Sequence, residues 1–332
     1  MLKVTLYRRA NCPSCDQVAA ELDQLRNEIP HELSVVTIDS IRTLEERYGD
    51  QVPVVQIGPY RLQGTISPVE LRVALSAAAE RHQQKLEDGS PAVQSSPERR
   101  KALDRIDRLG SWIGHHYMFV INLFLFIYVG LPVLAPVLAK AGYAVPARAI
   151  YTLYSPLCHQ LSFRSWFMFG QQPAYPLELA GVESLLSYEQ VIAAGEPDLA
   201  FARSFIGNEQ VGFKMALCER DVAIWGSMLL FGLLFALSGR RLRGIPWYVW
   251  IIFGIIPIGL DGSSQLPAFL EGILEWFPSR ESTPLLRTIT GALFGITTAW
   301  FLFPMMEDGM KDTRVVIEER RAVYAQGRQD KE

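Results

Sequence analysis

Along the first eighty or so residues, apolar positions switch between two short-range rhythms. Beyond residue 112 they run almost without interruption. "KVTLY" is a β-branched run that reads as a strand, and after "NCPSC" the residues Val18, Leu22 and Leu25 fall on one helical face. "LSVVTID" reads as a second strand and "SIRTLEERYGD" as a short helix. "VPVVQI", a turn at "GPY" and "RLQG" read as a hairpin. "SPVELRVALSAAAE" opens a final helix, with Ser67 as N-cap and Pro68 at the first helical position. The predicted order is βαβ, short helix, ββα, which is an α/β domain over residues 1–84.

Gly, Ser, Pro and charges then dominate "KLEDGSPAVQSSPERR", and "KALDRIDRLGSW" is basic and amphipathic, so residues 85–111 read as a linker and a membrane-surface stretch. Four apolar runs follow within residues 112–306. Met118 to Leu138 has the length needed to cross hydrocarbon, and Val222 to Leu237, Ile245 to Leu260 and Ile289 to Phe303 reach it with their aromatic flanks. Ala147 to Gly170 is half apolar and reads as a re-entrant or interfacial helix, with a fifth span as the alternative. Residues 171–215 read as an outer loop and 307–332 as a tail.

Arginine and lysine cluster before the first run (Arg99, Arg100, Lys101, Arg105, Arg108), between the second and third (Arg240, Arg241, Arg243) and after the fourth (Lys311, Arg314, Arg320, Arg321). An all-α four-span domain with all three clusters and both termini in the cytoplasm satisfies the positive-inside rule, and a fifth span would break it. Trp247, Tyr248 and Trp250 then read as an aromatic anchor, His115 and His116 as interfacial, and Glu271 and Glu275 as solvated positions on an outer helix, "PAFLEGILEWF".

With 332 residues and a net charge of −3, the chain has room for both domains and no basic excess, so nucleic acid is not an expected partner and membrane lipid is. The start shows no secretory leader pattern, which keeps the N-terminal domain in the cytoplasm at the cell (inner) membrane. The four cysteines, Cys12, Cys15, Cys158 and Cys218, are too few for a disulfide scaffold and point to redox or metal chemistry.

The first pair sits directly after a strand and opens a helix, where unpaired N–H groups and the helix dipole favour a thiolate at Cys12, with Cys15 one turn on to resolve a mixed disulfide. A zinc half-site and two unrelated thiols are the rivals. The segment resembles glutaredoxin and the small thioredoxin-like folds, on Cys-Pro-Ser-Cys after the first strand and Val52-Pro53 about forty residues on. The resemblance implies a cis proline at Pro53 facing the thiols and a substrate groove at Val52, Gly64 and Thr65, with a protein or low-molecular-weight thiol or disulfide as substrate. Glutathione is the implied small thiol; the turn here reads "QGTIS", without the family's second glycine and acid.

The second pair lies among polar residues that four segments deliver to the outer level: Cys158, His159 and Arg164; Cys218, Arg220 and Asp221; Asp261; and Arg287. Ionisable groups at membrane depth cost several kcal/mol unless paired or hydrated, so the set reads as a site. "CHQLSFRS", "CERD" before "VAIWG", "LDGSSQ" and "RTITG" resemble an uncharacterised family of bacterial multi-span membrane proteins, domain of unknown function 2085. Asp221 stands where that family's Cys-x-Arg-Cys has its second cysteine. Three outcomes stay open: a Cys158–Cys218 disulfide, zinc held by Cys158, His159, Cys218 and Asp221, or neither. On this topology Cys12 and Cys158 are separated by about 30 Å of hydrocarbon, which rules out direct thiol exchange. The sequence thus reads as a membrane-anchored thiol–disulfide oxidoreductase. The alternative is a transporter or metal-binding membrane protein whose glutaredoxin-like domain senses redox state.

Overall fold

The computed structural model describes residues 2–87, 97–193, 198–265 and 281–329, in two compact units. Part of the linker and the helix predicted around Glu271 and Glu275 lie outside the described residues.

The first unit is Met1–His115 with Gly309–Glu332. Its elements follow the predicted order: β1 Leu2–Arg8, α1 Pro13–Leu25, β2 His31–Thr37, α2 Arg42–Tyr48, β3 Val54–Ile57, β4 Tyr60–Gln63 and α3 Pro68–Glu87. The strands pair in the order β2-β1-β3-β4, with β1 and β2 parallel and the other pairs antiparallel. This is the mixed sheet of a thioredoxin-like fold. Alternation sends Val4 and Leu6 to one face, where they pack against Val18, Leu22 and Leu25 of α1 and Leu71 and Leu75 of α3. Each such side chain, fully buried, stabilises the fold by roughly 1.5–3 kcal/mol. Ser67 and Glu70 cap α3 reciprocally: the Glu70 N–H donates to Ser67 Oγ at 3.2 Å and the Ser67 N–H to Glu70 Oε2 at 2.8 Å.

The opposite face carries Tyr7, Val36, Ile38 and Val54 with Leu44 and Tyr48 of α2, and a seven-residue helix is too short to cover it. The cover is completed from the far end of the chain. Of residues 307–332, predicted as a tail, 307–329 continue the last helix, and Val315 joins this cluster with Ala322 and Val323 packed against it. Tyr48 donates to Glu319, Thr43 donates to Glu318, and Arg47 lies 3.4 Å from Asp312. Burial, and then the bond to Glu319, push the Tyr48 phenol up to about 12, so it stays a donor throughout the neutral range. The opposite side of the same helical stretch meets the start of α4 (Pro97–Lys140): Arg314 donates to the Gly114 carbonyl at 2.6 Å and Arg321 to the Asp107 carbonyl at 3.3 Å.

The second unit is His116–Asp308. Among the described residues, three helices are long and apolar enough to cross a membrane: Arg105–Lys140 within α4 (Pro97–Lys140), α8 (Glu219–Leu237) and Pro284–Val323 within α10 (Pro284–Gln329). The third predicted span is α9, Trp247–Ser263, shorter than the others. Its middle, Ile251–Ile255, is a π-helical turn just before Pro257, which lacks the N–H and crowds the preceding turn. Trp250 is no outward anchor: it stacks on Phe301 at 5.3 Å and donates to Thr298. Gly291 and Gly295 let α10 approach α8 closely, since a Cβ on Gly295 would stand 2.2 Å from the Ile224 carbonyl.

Ala147 to Gly170 is not one helix. It is α5 (Ala144–Tyr154), a short turn and β5 (Ser165–Met168). α5 is about 16 Å long by its rise, too short for a fifth span. The chain continues through α6 (Tyr188–Val191), α7 (Leu199–Ser204), β6 (Gly207–Asn208) and β7 (Gly212–Cys218), and its strands pair as β5-β7-β6. The helical domain therefore carries a small antiparallel sheet that no alternation in the sequence announced.

Candidate functional site

In the first unit, Cys12 is the N-cap of α1 and Cys15 lies one turn on, and their sulfurs form a disulfide. The Cys15 N–H points at Cys12 Sγ, 3.2 Å away, and Ser14 Oγ lies at 3.3 Å. Cys15 is fully buried and Cys12 retains 9% exposure, so a partner reaches Cys12 first. The loop is held by Ala10 N–H donating to Asp39 at 2.7 Å and by Arg8 paired with Asp16 at 2.6 Å. The Val52-Pro53 bond is cis. Gly64, at φ +75°, donates to the carbonyls of Gln51 and Pro53 at 2.9 and 3.1 Å; it fixes the proline loop. Thr65 is exposed, whereas the Val52 side chain packs into the α2-side cluster.

In the second unit the structure brings Cys158, Cys218 and Asp221 together, with their ligand atoms all within 4.8 Å of one another. β7 ends at Cys218 and α8 begins at Glu219, so Asp221 sits in the first turn of α8, one turn after the cysteine. Cys218 Sγ lies 3.1 Å from Asp221 Oδ2, and the Cys218 N–H donates to Cys158 Sγ at 3.3 Å. The neighbouring Cys218 side chain holds the Cys158 thiol below its usual range, whereas Cys158 and burial push Cys218 up. His159 does not belong to this group. It is exposed, whereas Gln160, in the left-handed region at φ +53°, turns inward and donates to the carbonyls of Tyr151 and Ala216. Neighbouring residues in this turn point apart, which removes His159 as a ligand.

The remaining predicted residues form an ion-pair network. Arg164 grips Glu281 with two bonds of 2.8 and 2.7 Å. Arg287, almost fully buried, pairs with Glu281 and also reaches Glu219 at 3.4 Å and Gln265 at 3.2 Å. Arg220 pairs with Asp261 at 2.5 Å, and Thr290 donates to the same carboxylate. Three guanidinium groups face three carboxylates, so charges that would be costly alone are neutralised together. Glu219 Oε1 has no hydrogen-bond partner among the described residues.

Glu219, Glu281 and Lys214 were absent from the predicted set. Lys214 is fully buried on β7 and gives its three hydrogens to the carbonyls of Gln160, Ala202 and Arg203 at 2.6, 3.2 and 2.7 Å. Burial pushes its pKa down to about 7, while three acceptors match the three hydrogens of the ammonium. The signal was its register: Lys214 shares the inward face of "GFKMALC" with Gly212 and Ala216. Lys214→Met should destabilise the segment that carries the small sheet by about 1–3 kcal/mol by orphaning these carbonyls. Protease resistance of residues 171–215 in the solubilised protein reads this, and wild-type resistance would refute the cage.

Residues 3–78 match a family described as a glutaredoxin-like domain (DUF836), and residues 201–301 match one described as a predicted membrane protein (DUF2085). An uncharacterized protein of Methanocaldococcus jannaschii is 25% identical over 197 residues, covering 57% of this chain and 92% of that protein. No solved structure matches the chain. The chain is thus a fusion of a redox-type, glutaredoxin-like domain with a membrane domain.

Proposed function

We propose that this fusion is a membrane-anchored thiol–disulfide oxidoreductase whose Cys12–Cys15 dithiol works on the cytoplasmic side. The observation that carries the reading is the placement of Cys12 as the cap of α1, with Cys15 behind it and already able to close the disulfide. In the reduced protein, Cys12 thiolate attacks a disulfide of the substrate and one substrate thiolate leaves. Cys15 then attacks the Cys12 sulfur of the mixed disulfide, the second substrate thiol leaves, and Cys12–Cys15 is the oxidised product. A reduced protein thiol or a low-molecular-weight thiol such as glutathione returns the two electrons. The cis Pro53 loop and the backbone of Val52 present an edge to the substrate. The basic clusters flanking the spans support the cytoplasmic placement.

The full-length protein in detergent, reduced, freed of reductant and mixed with a small disulfide, should reduce one equivalent of it, and an added thiol reductant should make the reaction turn over. Cys12→Ser should fall to the uncatalysed background. Cys15→Ser should retain attack but stall, and a covalent adduct at Cys12 should appear by mass spectrometry. Turnover by Cys12→Ser at the wild-type rate would refute the reading.

A further inference from the structure

We propose that Cys158, Cys218 and Asp221 form a binding site for a thiophilic divalent cation of the zinc class, with one coordination position left open. This is independent of the cytoplasmic dithiol, because it uses other residues in the other compact unit.

Geometry is the first argument. A tetrahedral ion with metal–sulfur bonds near 2.3 Å places its two sulfurs about 3.8 Å apart. The donor atoms of Cys158, Cys218 and Asp221 already lie within 4.8 Å of one another, so side-chain adjustments of about 1 Å bring all three onto one ion. They come from a turn, the end of a strand and the first turn of a helix, joined by the β5–β7 pairing: Ser165 sits opposite Cys218. The site is therefore built into the sheet.

Donor chemistry is the second. Cys158 is buried, and its sulfur accepts the backbone N–H of Cys218 at 3.3 Å. An amide donor aimed at a buried sulfur suits a thiolate, and a thiolate is the form that binds metal.

Charge decides between a cation and a disulfide. Asp221 stands 3.1 Å from Cys218 Sγ. A carboxylate there opposes the thiolate needed for disulfide exchange, and it plays no part in a closed disulfide. Beside a dication it is a third anionic ligand. Two thiolates, a carboxylate and a dication sum to −1. Lys214, on the same strand as Cys218, has only carbonyl partners among the described residues, and its protonated form offsets that excess. Three protein ligands leave the fourth position to water or an exchangeable group, the arrangement of a reactive or transit site rather than a closed structural one.

The test uses full-length protein carrying Cys12→Ser and Cys15→Ser, so that the other thiols cannot contribute. It is reduced, stripped with chelator in detergent and titrated with Zn²⁺ or Co²⁺. One equivalent should bind, with Co²⁺ giving a thiolate-to-metal charge-transfer band in the near ultraviolet. Cys158→Ser or Cys218→Ser should each weaken binding by at least about 100-fold, since loss of a supporting group alone costs 10–100-fold. Asp221→Asn, nearly isosteric, should weaken it by about 10-fold or more, and His159→Ala should leave it unchanged. Protein that stays monodisperse yet binds no equivalent would overturn the proposal, as would binding that survives Cys158→Ser/Cys218→Ser. An unfolded cysteine variant leaves the decision to Asp221→Asn, and wild-type affinity in that variant overturns the ligand set.

Discussion

Arg287→Met should destabilise the membrane domain by about 3–5 kcal/mol, measured by thermal or denaturant unfolding of the solubilised protein, because it strands buried carboxylates. Arg287 is 2% exposed, Glu219 is fully buried and Glu281 is 8% exposed. Glu281 keeps Arg164 as a partner, but Glu219 makes its only direct ion pair among the described residues with Arg287. Methionine fills similar volume, so the loss measures charge rather than a cavity. The second half of the prediction is reversal. Adding Glu219→Gln to Arg287→Met removes the stranded charge and should recover about half of the lost stability, whereas Glu219→Gln in the wild-type background should cost less, since Arg287 still has Glu281. If Arg287→Met unfolds like wild type, or if Glu219→Gln deepens its defect, the network as described is wrong.

The same network shows what sequence could and could not deliver. Arg164, Arg220, Asp261 and Arg287 were legible as a set because ionisable residues beside apolar runs are expensive, and expense implies partners. The partners themselves were not legible. Arg164 meets Glu281 across a separation of 117 residues, and no local rule connects them. His159 failed for the converse reason: adjacency to Cys158 looked like a shared site, but only backbone torsion decides which of two neighbours turns inward, and here it is Gln160. The N-terminal domain was readable almost whole, since period-two strands, the Cys12 and Ser67 caps and the hairpin turn are local signals. The small sheet of the helical domain was not, because β5 and β7 pair over about fifty residues with a register shift between Ser165 and Phe167.

Val315→Asp should unfold or loosen the glutaredoxin-like domain although position 315 lies more than two hundred residues beyond its last strand. The expected loss is about 3 kcal/mol, from placing a carboxylate where Val315 is 8% exposed between Ile38, Leu44 and Tyr48. Val315, Glu319, Ala322 and Val323 recur at helical spacing, and the apolar members of that stripe pack on the α2 side of the sheet while Glu319 accepts from Tyr48. Arg314, Ile317 and Arg321 form a second stripe toward α4, where Ile317 lies against Gly110. A stretch with partners on two sides is part of the domain's core, so residues 1–84 alone expose Tyr48 and Val36, which the full chain buries. Limited proteolysis within residues 2–87 and alkylation of Cys15 in the reduced protein read this directly. Both should rise sharply in Val315→Asp and in a chain ending at Asp308, while Val315→Leu, a change of one methylene, should cost less than about 1.5 kcal/mol. If the truncated chain protects Cys15 as well as the full one does, the helix adds nothing to the domain, and α2 alone must cover that face.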